Sequence, residues 1–170
     1  KMRGCKLMKV GYTINKEFSP VTALFFDDKT IKIVNKTTII NEEEYAELSF
    51  IEGDIANDIA YEIDGIIEKF EFDEYEEVIK KIQIVHDTVS WQDYGNNKFI
   101  TLDMQCIVIL SLENKDVVIF AQDTAAEAVE LYDKADIISN RLSIQNIWPV
   151  LDEKDNQRND VEYLRTLEEI

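Results

Sequence analysis

The stretch from Phe99 to Phe120 constrains the fold of this chain more than any other. From Ile100 onward every second residue is apolar: Ile100, Leu102, Met104, Cys106, Val108, Leu110 and Leu112. A period of two sets side chains on one face of an extended strand, and an apolar run of that length requires the face to be buried. The intervening positions change character along the way, with Thr101, Asp103 and Gln105 polar and Ile107 and Ile109 apolar. The strand is therefore expected to have one wet side in its first half and to be covered on both sides in its second. Glu113-Asn114-Lys115-Asp116 is turn chemistry, and the chain returns over 117–121 as an antiparallel partner.

Other segments are read against this pair. Residues 7–14, 21–26 and 30–34 read as short strands, the last two joined as a hairpin at Asp27-Asp28-Lys29. Tyr75, Val78, Ile79 and Ile82 have helical spacing, so 71–82 is open to both readings. The turn residues Asp93 to Asn97 favour a strand over 78–91 beside 99–112. Four helices are expected. Asn41 followed by three glutamates starts one over 42–51. Asp54 caps a second over 55–70, with Ile55, Ile59, Ile63, Ile66, Ile67 and Phe70 as its apolar stripe. A third covers 124–142 and a fourth 160–170, the latter with Val161, Leu164, Leu167 and Ile170 inward. Together these predict one α+β domain over 1–170, an antiparallel meander with helices on it. Residues 1–6 read as a tail and 152–159 as a linker.

Size and composition fit a globular protein: 170 residues with 45% hydrophobic side chains bury a core without metals or disulfides. Cys5 and Cys106 are the only cysteines, and they sit in a basic segment and in the central strand. Two unbridged thiols, with no apolar leader and no apolar run of membrane-spanning length, point to the cytoplasm.

Chemistry is largely excluded by what is missing. His86 is the only histidine, so multi-histidine metal sites are ruled out, and Ser90 nearby does not make a catalytic pair by sequence proximity. Neither cysteine has zinc-ligand spacing. Five glycines, none in a phosphate-binding pattern, leave no nucleotide cradle. Carboxylate pairs such as Asp27-Asp28 and Asp73-Glu74 do not follow the calcium-loop pattern. No cofactor, metal or catalytic residue is assigned.

Charge is the remaining functional signal. The net charge is −17, and residues 42–77 alone hold 15 acids and one base, Lys69, a balance of −14. A field of that sign repels nucleic acids and anionic membranes and attracts basic proteins. Asp54, Asp58 and Glu62 recur every four residues, which a helix would align. The expected partner-binding surface comprises Asp54, Asp58, Glu62, Glu68, Glu71, Asp73 and Glu74, with Tyr61 and Tyr75 as aromatic anchors. The function expected from this is inhibition of a basic partner, either a toxin met by an immunity protein or a nucleic-acid-binding protein met by a mimic of its ligand. Two alternatives stand beside it. One is a small enzyme or ligand-binding domain with a carboxylate-lined, divalent-metal-dependent pocket, the other an assembly subunit docking through Trp148-Pro149 and the last helix.

Overall fold

Alternation with a period of two, not helical spacing, governs almost every element. The structure, a computed structural model, describes residues 4–40, 43–53, 60–63, 66–93, 97–121, 129–148 and 158–170. In chain order the strands are β1 (Lys6–Tyr12), β2 (Val21–Phe26), β3 (Thr30–Ile40), β4 (Glu43–Gly53), β5 (Ala60–Ile63) and β6 (Ile66–Lys69). They continue with β7 (Glu71–Val78), β8 (Lys81–Asp93), β9 (Lys98–Ser111), β10 (Asp116–Ala121), β11 (Val129–Tyr132) and β12 (Arg158–Glu169). The helical residues described are a 3-10 turn, Ala135–Ile138, and one short helix, α1 (Ile144–Ile147).

Ten strands make two antiparallel five-stranded sheets, in the orders β4-β3-β2-β1-β7 and β11-β10-β9-β8-β12, while β5 and β6 pair as a separate hairpin. Leu24 and Phe26 of β2, Ile31 and Ile33 of β3 and Leu48 of β4 pack against Ile82, Val108, Leu110, Val117 and Ile119 of the second sheet. This buried layer between two sheets makes the molecule a β-sandwich. The chain passes from one sheet to the other at Ile79-Lys80. There the Ile79 amide donates to the Cys5 carbonyl at 3.0 Å and the Lys80 amide to the Ser111 carbonyl at 2.9 Å. On another side the loop after β1 stitches the sheets together: Ser19 and Val129 exchange backbone hydrogen bonds of 3.0 and 2.8 Å, and the Leu131 amide donates to the Lys16 carbonyl at 2.8 Å.

The second sheet is covered on its far face as well. A strap formed by the 3-10 turn and α1 lays Leu142, Ile137, Ile138 and Ile147 over Val85, Cys106, Ile107, Ile109, Val118 and Phe120. Farther along, Trp148 joins Val89, Trp91, Leu102 and Met104. The far face of the first sheet carries a smaller cluster in which Phe25, Phe70 and Phe72 meet edge to face or tilted, with the Lys9 ammonium 4.0 Å from the Phe72 ring centre. Gly11 lies under these rings, and a Cβ there would come within 3.0 Å of Phe25, 3.1 Å of Phe72 and 3.2 Å of Phe70. Gly11→Ala is therefore expected to cost about 1–3 kcal/mol through overpacking, measured as a lowered midpoint in urea.

The α+β expectation is overturned, because the described residues of three of its four helices fall largely on strands and those of the fourth are part strand and part 3-10 turn. Residues 42–51 fall mostly on β4, paired residue for residue with β3 from Ile40↔Glu43 to Thr30↔Gly53. Residues 55–70 hold the β5–β6 hairpin, in register from Ala60↔Lys69 to Ile63↔Ile66, with 54–59 and 64–65 outside the described residues. In the 124–142 segment, 122–128 lie outside the described residues, Val129–Tyr132 pairs with β10, and only Ala135–Ile138 turns helically. The supposed last helix is β12, paired with β8. Weak local helix preference yields in these segments to backbone pairing between strands. The strand expected over 78–91 is also corrected: β7 ends at Val78 and β8 begins at Lys81. Cys5 and Cys106 are not bridged to each other. Among the described residues no helix is long and apolar enough to cross a membrane.

Candidate functional site

Strand β7 has the sequence Glu-Phe-Asp-Glu-Tyr-Glu-Glu-Val and forms one edge of the first sheet. Its side chains divide by function. Glu71, Glu74 and Glu76 are exposed, whereas Asp73, Tyr75 and Glu77 are half-buried and turned toward the second sheet's end. A bulge produces this arrangement. Lys9 pairs with Glu74 but Leu7 with Glu77, so β7 carries one residue more than β1 over that interval, and Glu76 takes up the difference with φ of 54°.

The half-buried residues each have an assigned partner. Glu77 Oε2 accepts the Glu113 and Asn114 amides at 3.0 and 3.1 Å, tying the β9–β10 turn to β7. The Lys115 ammonium sits 3.8 Å from the Tyr75 ring centre. Asp73 forms an ion pair with Lys16, and this hydrogen bond raises the Lys16 pKa above the ordinary lysine value. Burial, with the nearby Asp73 and Asp133 carboxylates adding to it, pushes the Tyr75 phenol up to about 12, so it stays a protonated donor at neutral pH. Tyr12 is moved upward for the same two reasons, burial first and Asp73 second.

These groups line a cleft of about 290 Å³ with Val10, Val117 and Leu131 along it and Lys16, Glu17, Asp73, Tyr75, Tyr132 and Asp133 around it. Lys16 and Glu17 are presented by the loop between β1 and β2. That loop is held by Asn15 Oδ1, which accepts the Glu17 and Phe18 amides at 2.9 and 2.8 Å, and by the buried Ser19 hydroxyl, which accepts the Thr13 amide at 3.0 Å. Ile14, a β-branched residue at φ of 62°, sits in the same loop. Chemically, the cleft has carboxylates beside tyrosine rings over an apolar floor, a lining suited to an alkylammonium or guanidinium group.

A second polar constellation has a structural role. Asp87 is fully buried on β8, and its carboxylate receives Arg165 Nε and Nη2 at 2.6 Å each and Trp148 Nε1 at 3.0 Å. Arg165 Nη1 also donates to the Leu142 carbonyl. β8, β12 and the strap, the last through Leu142 and the tryptophan that ends α1, thus meet around one buried ion pair. Cys106 Sγ lies 3.5 Å from Asp87 Oδ2, and burial, reinforced by that carboxylate, pushes its thiol pKa well up. Such a thiol is a core residue and not a nucleophile. His86, on the opposite face, hydrogen-bonds Glu168 at 3.1 Å.

Of the residues expected on the partner surface, the structure brings Glu71, Asp73, Glu74 and Tyr75 together on β7, and Asp73 and Tyr75 enter the cleft. Tyr61, Glu62 and Glu68 belong by backbone to the β5–β6 hairpin, where Tyr61 pairs with Glu68, and their side chains are outside what is described. Asp54 and Asp58 lie outside the described residues. Sequence reasoning missed Lys16, Glu17, Tyr132 and Asp133, which reach the cleft only through the closure of the β1–β2 loop on β11. It also missed that Lys16 neutralises Asp73. Among the described residues no group of three His, Cys, Asp or Glu side chains is placed to hold a metal ion. No family model, no curated protein and no solved structure matches the chain.

Proposed function

We propose that this chain is a non-catalytic cytoplasmic binding protein that neutralises a basic partner protein through the acidic edge strand β7 and the cleft beside it. The observation that carries the reading is local: five acids in the eight residues of β7, with Glu71, Glu74 and Glu76 exposed on a sheet edge. Lys6 approaches Glu76 only at 4.0 Å, Lys9, opposite Glu74 on β1, holds its ammonium over the Phe72 ring, and Lys16 pairs with the half-buried Asp73. Charges arranged in this way steer a basic partner into contact and raise its association rate by roughly 10–10³-fold at low salt. In this reading a lysine or arginine of the partner enters the cleft and competes with Lys16 for Asp73. A toxin or a nucleic-acid-binding protein, each carrying a basic groove, has the required chemistry.

The test begins with capture from a host lysate at low salt and elution at high salt, followed by association kinetics with the purified partner. The rate is expected to fall steeply with ionic strength. Glu71→Lys with Glu74→Lys is expected to slow association by about tenfold or more at low salt, with the difference shrinking as salt rises. A rate indifferent to both salt and charge reversal would sink the proposal.

A further inference from the structure

Two of the chain's own cations lie against neighbouring side chains of β7. The Lys16 ammonium, carried by the loop between β1 and β2, pairs with the Asp73 carboxylate and stands 5.7 Å from the Tyr12 ring centre. The Lys115 ammonium, carried by the β9–β10 turn, stands 3.8 Å from the Tyr75 ring centre. Asp73 and Tyr75 both line the cleft and are two positions apart on one strand. Residues so spaced share a face and have Cα atoms about 6.5 Å apart. β7 thus carries a carboxylate seat and an aromatic seat for ammonium groups side by side, each in contact with a lysine of this chain. Neither lysine is needed to hold its loop. The Leu131 amide fixes the first loop through the Lys16 carbonyl at 2.8 Å, while the Lys16 side chain is 47% exposed. The turn is fixed by Glu77 on the Glu113 and Asn114 amides and by the Leu112 amide on the Lys115 carbonyl at 2.9 Å, while Lys115 itself is exposed.

We propose that the cleft binds a short alkane diamine, one ammonium on Asp73 and the other over Tyr75, in place of the ammonium groups of Lys16 and Lys115. Four methylenes hold two ammonium groups at nearly the separation of the two seats, and Val10, Val117 and Leu131 give the carbon chain between them an apolar floor. The two lysines then act as tethered competitors, which set how tightly the diamine binds. Charge favours the exchange. The lining holds three carboxylates, Glu17, Asp73 and Asp133, against the one ammonium of Lys16, so a dication is drawn in even while Lys16 is seated. A monoamine of the same length fills one seat and leaves the other to a lysine. The inference goes beyond the protein partner proposed above, sharing with that reading only the preference of the cleft for cations, and its test uses the chain alone.

Calorimetric titration of the full chain at low salt is expected to show 1,4-diaminobutane binding about tenfold or more tightly than n-butylamine. Asp73→Asn and Tyr75→Leu should each remove that advantage, whereas Tyr75→Phe, which keeps the ring, should retain it. Lys16→Ala with Lys115→Ala removes both competitors and is expected to raise the diamine affinity several-fold. Lys36→Ala with Lys98→Ala removes the same charge from two exposed lysines that do not line the cleft, and should raise it less. Equal affinities for the diamine and the monoamine overturn the proposal. So does an equal gain in the two double variants, or a diamine that binds Asp73→Asn as tightly as the unaltered chain. Binding of the peptide acetyl-Lys-Ala-Lys-amide without binding of the diamine assigns the two seats to the lysines of a protein and overturns it equally. A chain that binds the diamine as expected but captures no basic protein supports this inference and removes the reading above.

Discussion

Asp87→Ala is expected to destabilise the protein by about 3–5 kcal/mol, the range for removing one partner of a buried ion pair. The Asp87 carboxylate is fully buried and bound by Arg165 Nε and Nη2, and the Arg165 side chain is only 12% exposed. Removing the acid strands a guanidinium in a place water hardly reaches and also leaves the Trp148 indole N–H without its acceptor. Total stabilities of single domains are about 5–15 kcal/mol, so this one change consumes a large share. The decisive comparison is with both partners replaced. Asp87→Leu with Arg165→Met removes the charges together, and such apolar replacements are often close to neutral. Urea denaturation of the two single variants and the double variant measures the coupling directly. An Asp87→Ala midpoint close to that of the unaltered protein would show that the pair does not anchor β12.

The central strand shows how far the sequence could be read. Its existence, its partner on 117–121 and its doubly covered second half are all present in the structure as β9 and β10. The single apolar face is not. His86 pairs with Gln105 but Val85 with Ile107, so Cys106 is the extra residue of a bulge. That residue flips the alternation. Leu102, Met104 and Cys106 face the strap and Trp148, while Val108, Leu110 and Leu112 face the other sheet. An unbroken period of two contains no mark of such a slip, because both faces are apolar where it occurs.

The helix errors have a different origin. Acids that follow Asn41 or Asp54 suit a helix start, but the same residues suit a sheet edge, where charge guards against unwanted pairing. In 55–70 the Asp64-Gly65 dipeptide between Ile63 and Ile66 was a hairpin signal. In 160–170 the sequence Val-Glu-Tyr-Leu-Arg-Thr-Leu fits both periods. Only the tertiary demand of Asp87 for Arg165 places Val161, Tyr163 and Arg165 on one side. The acidic edge was legible as composition, because crowded carboxylates need no fold to be counted. Lys16 and Asp133, 57 and 60 residues from Asp73 along the chain, come near it only through long-range closure.

The doubly covered strand leads to the second large effect: Ile109→Ala is expected to cost about 2–5 kcal/mol, as much as Leu110→Ala on the opposite face. In a plain two-layer sandwich only one of these neighbours would be buried, and the other would tolerate substitution within about 0.5 kcal/mol. Here Leu110 packs between the sheets and Ile109 under the strap, and both are almost fully buried. The two losses should nevertheless differ in kind. Leu110→Ala opens a cavity in the layer between the two sheets, so tryptophan fluorescence and far-ultraviolet circular dichroism should shift together. Ile109→Ala weakens the seat of a short strap whose far end carries Trp148 against Asp87, so fluorescence should move at lower denaturant than the sheet signal. Coincident curves would mean that the strap and the sandwich form one cooperative unit. An Ile109→Ala midpoint equal to that of the unaltered protein would mean that the strap does not cover the sheet in solution. Leu110→Ala serves as the control, since its burial depends only on the two sheets facing each other.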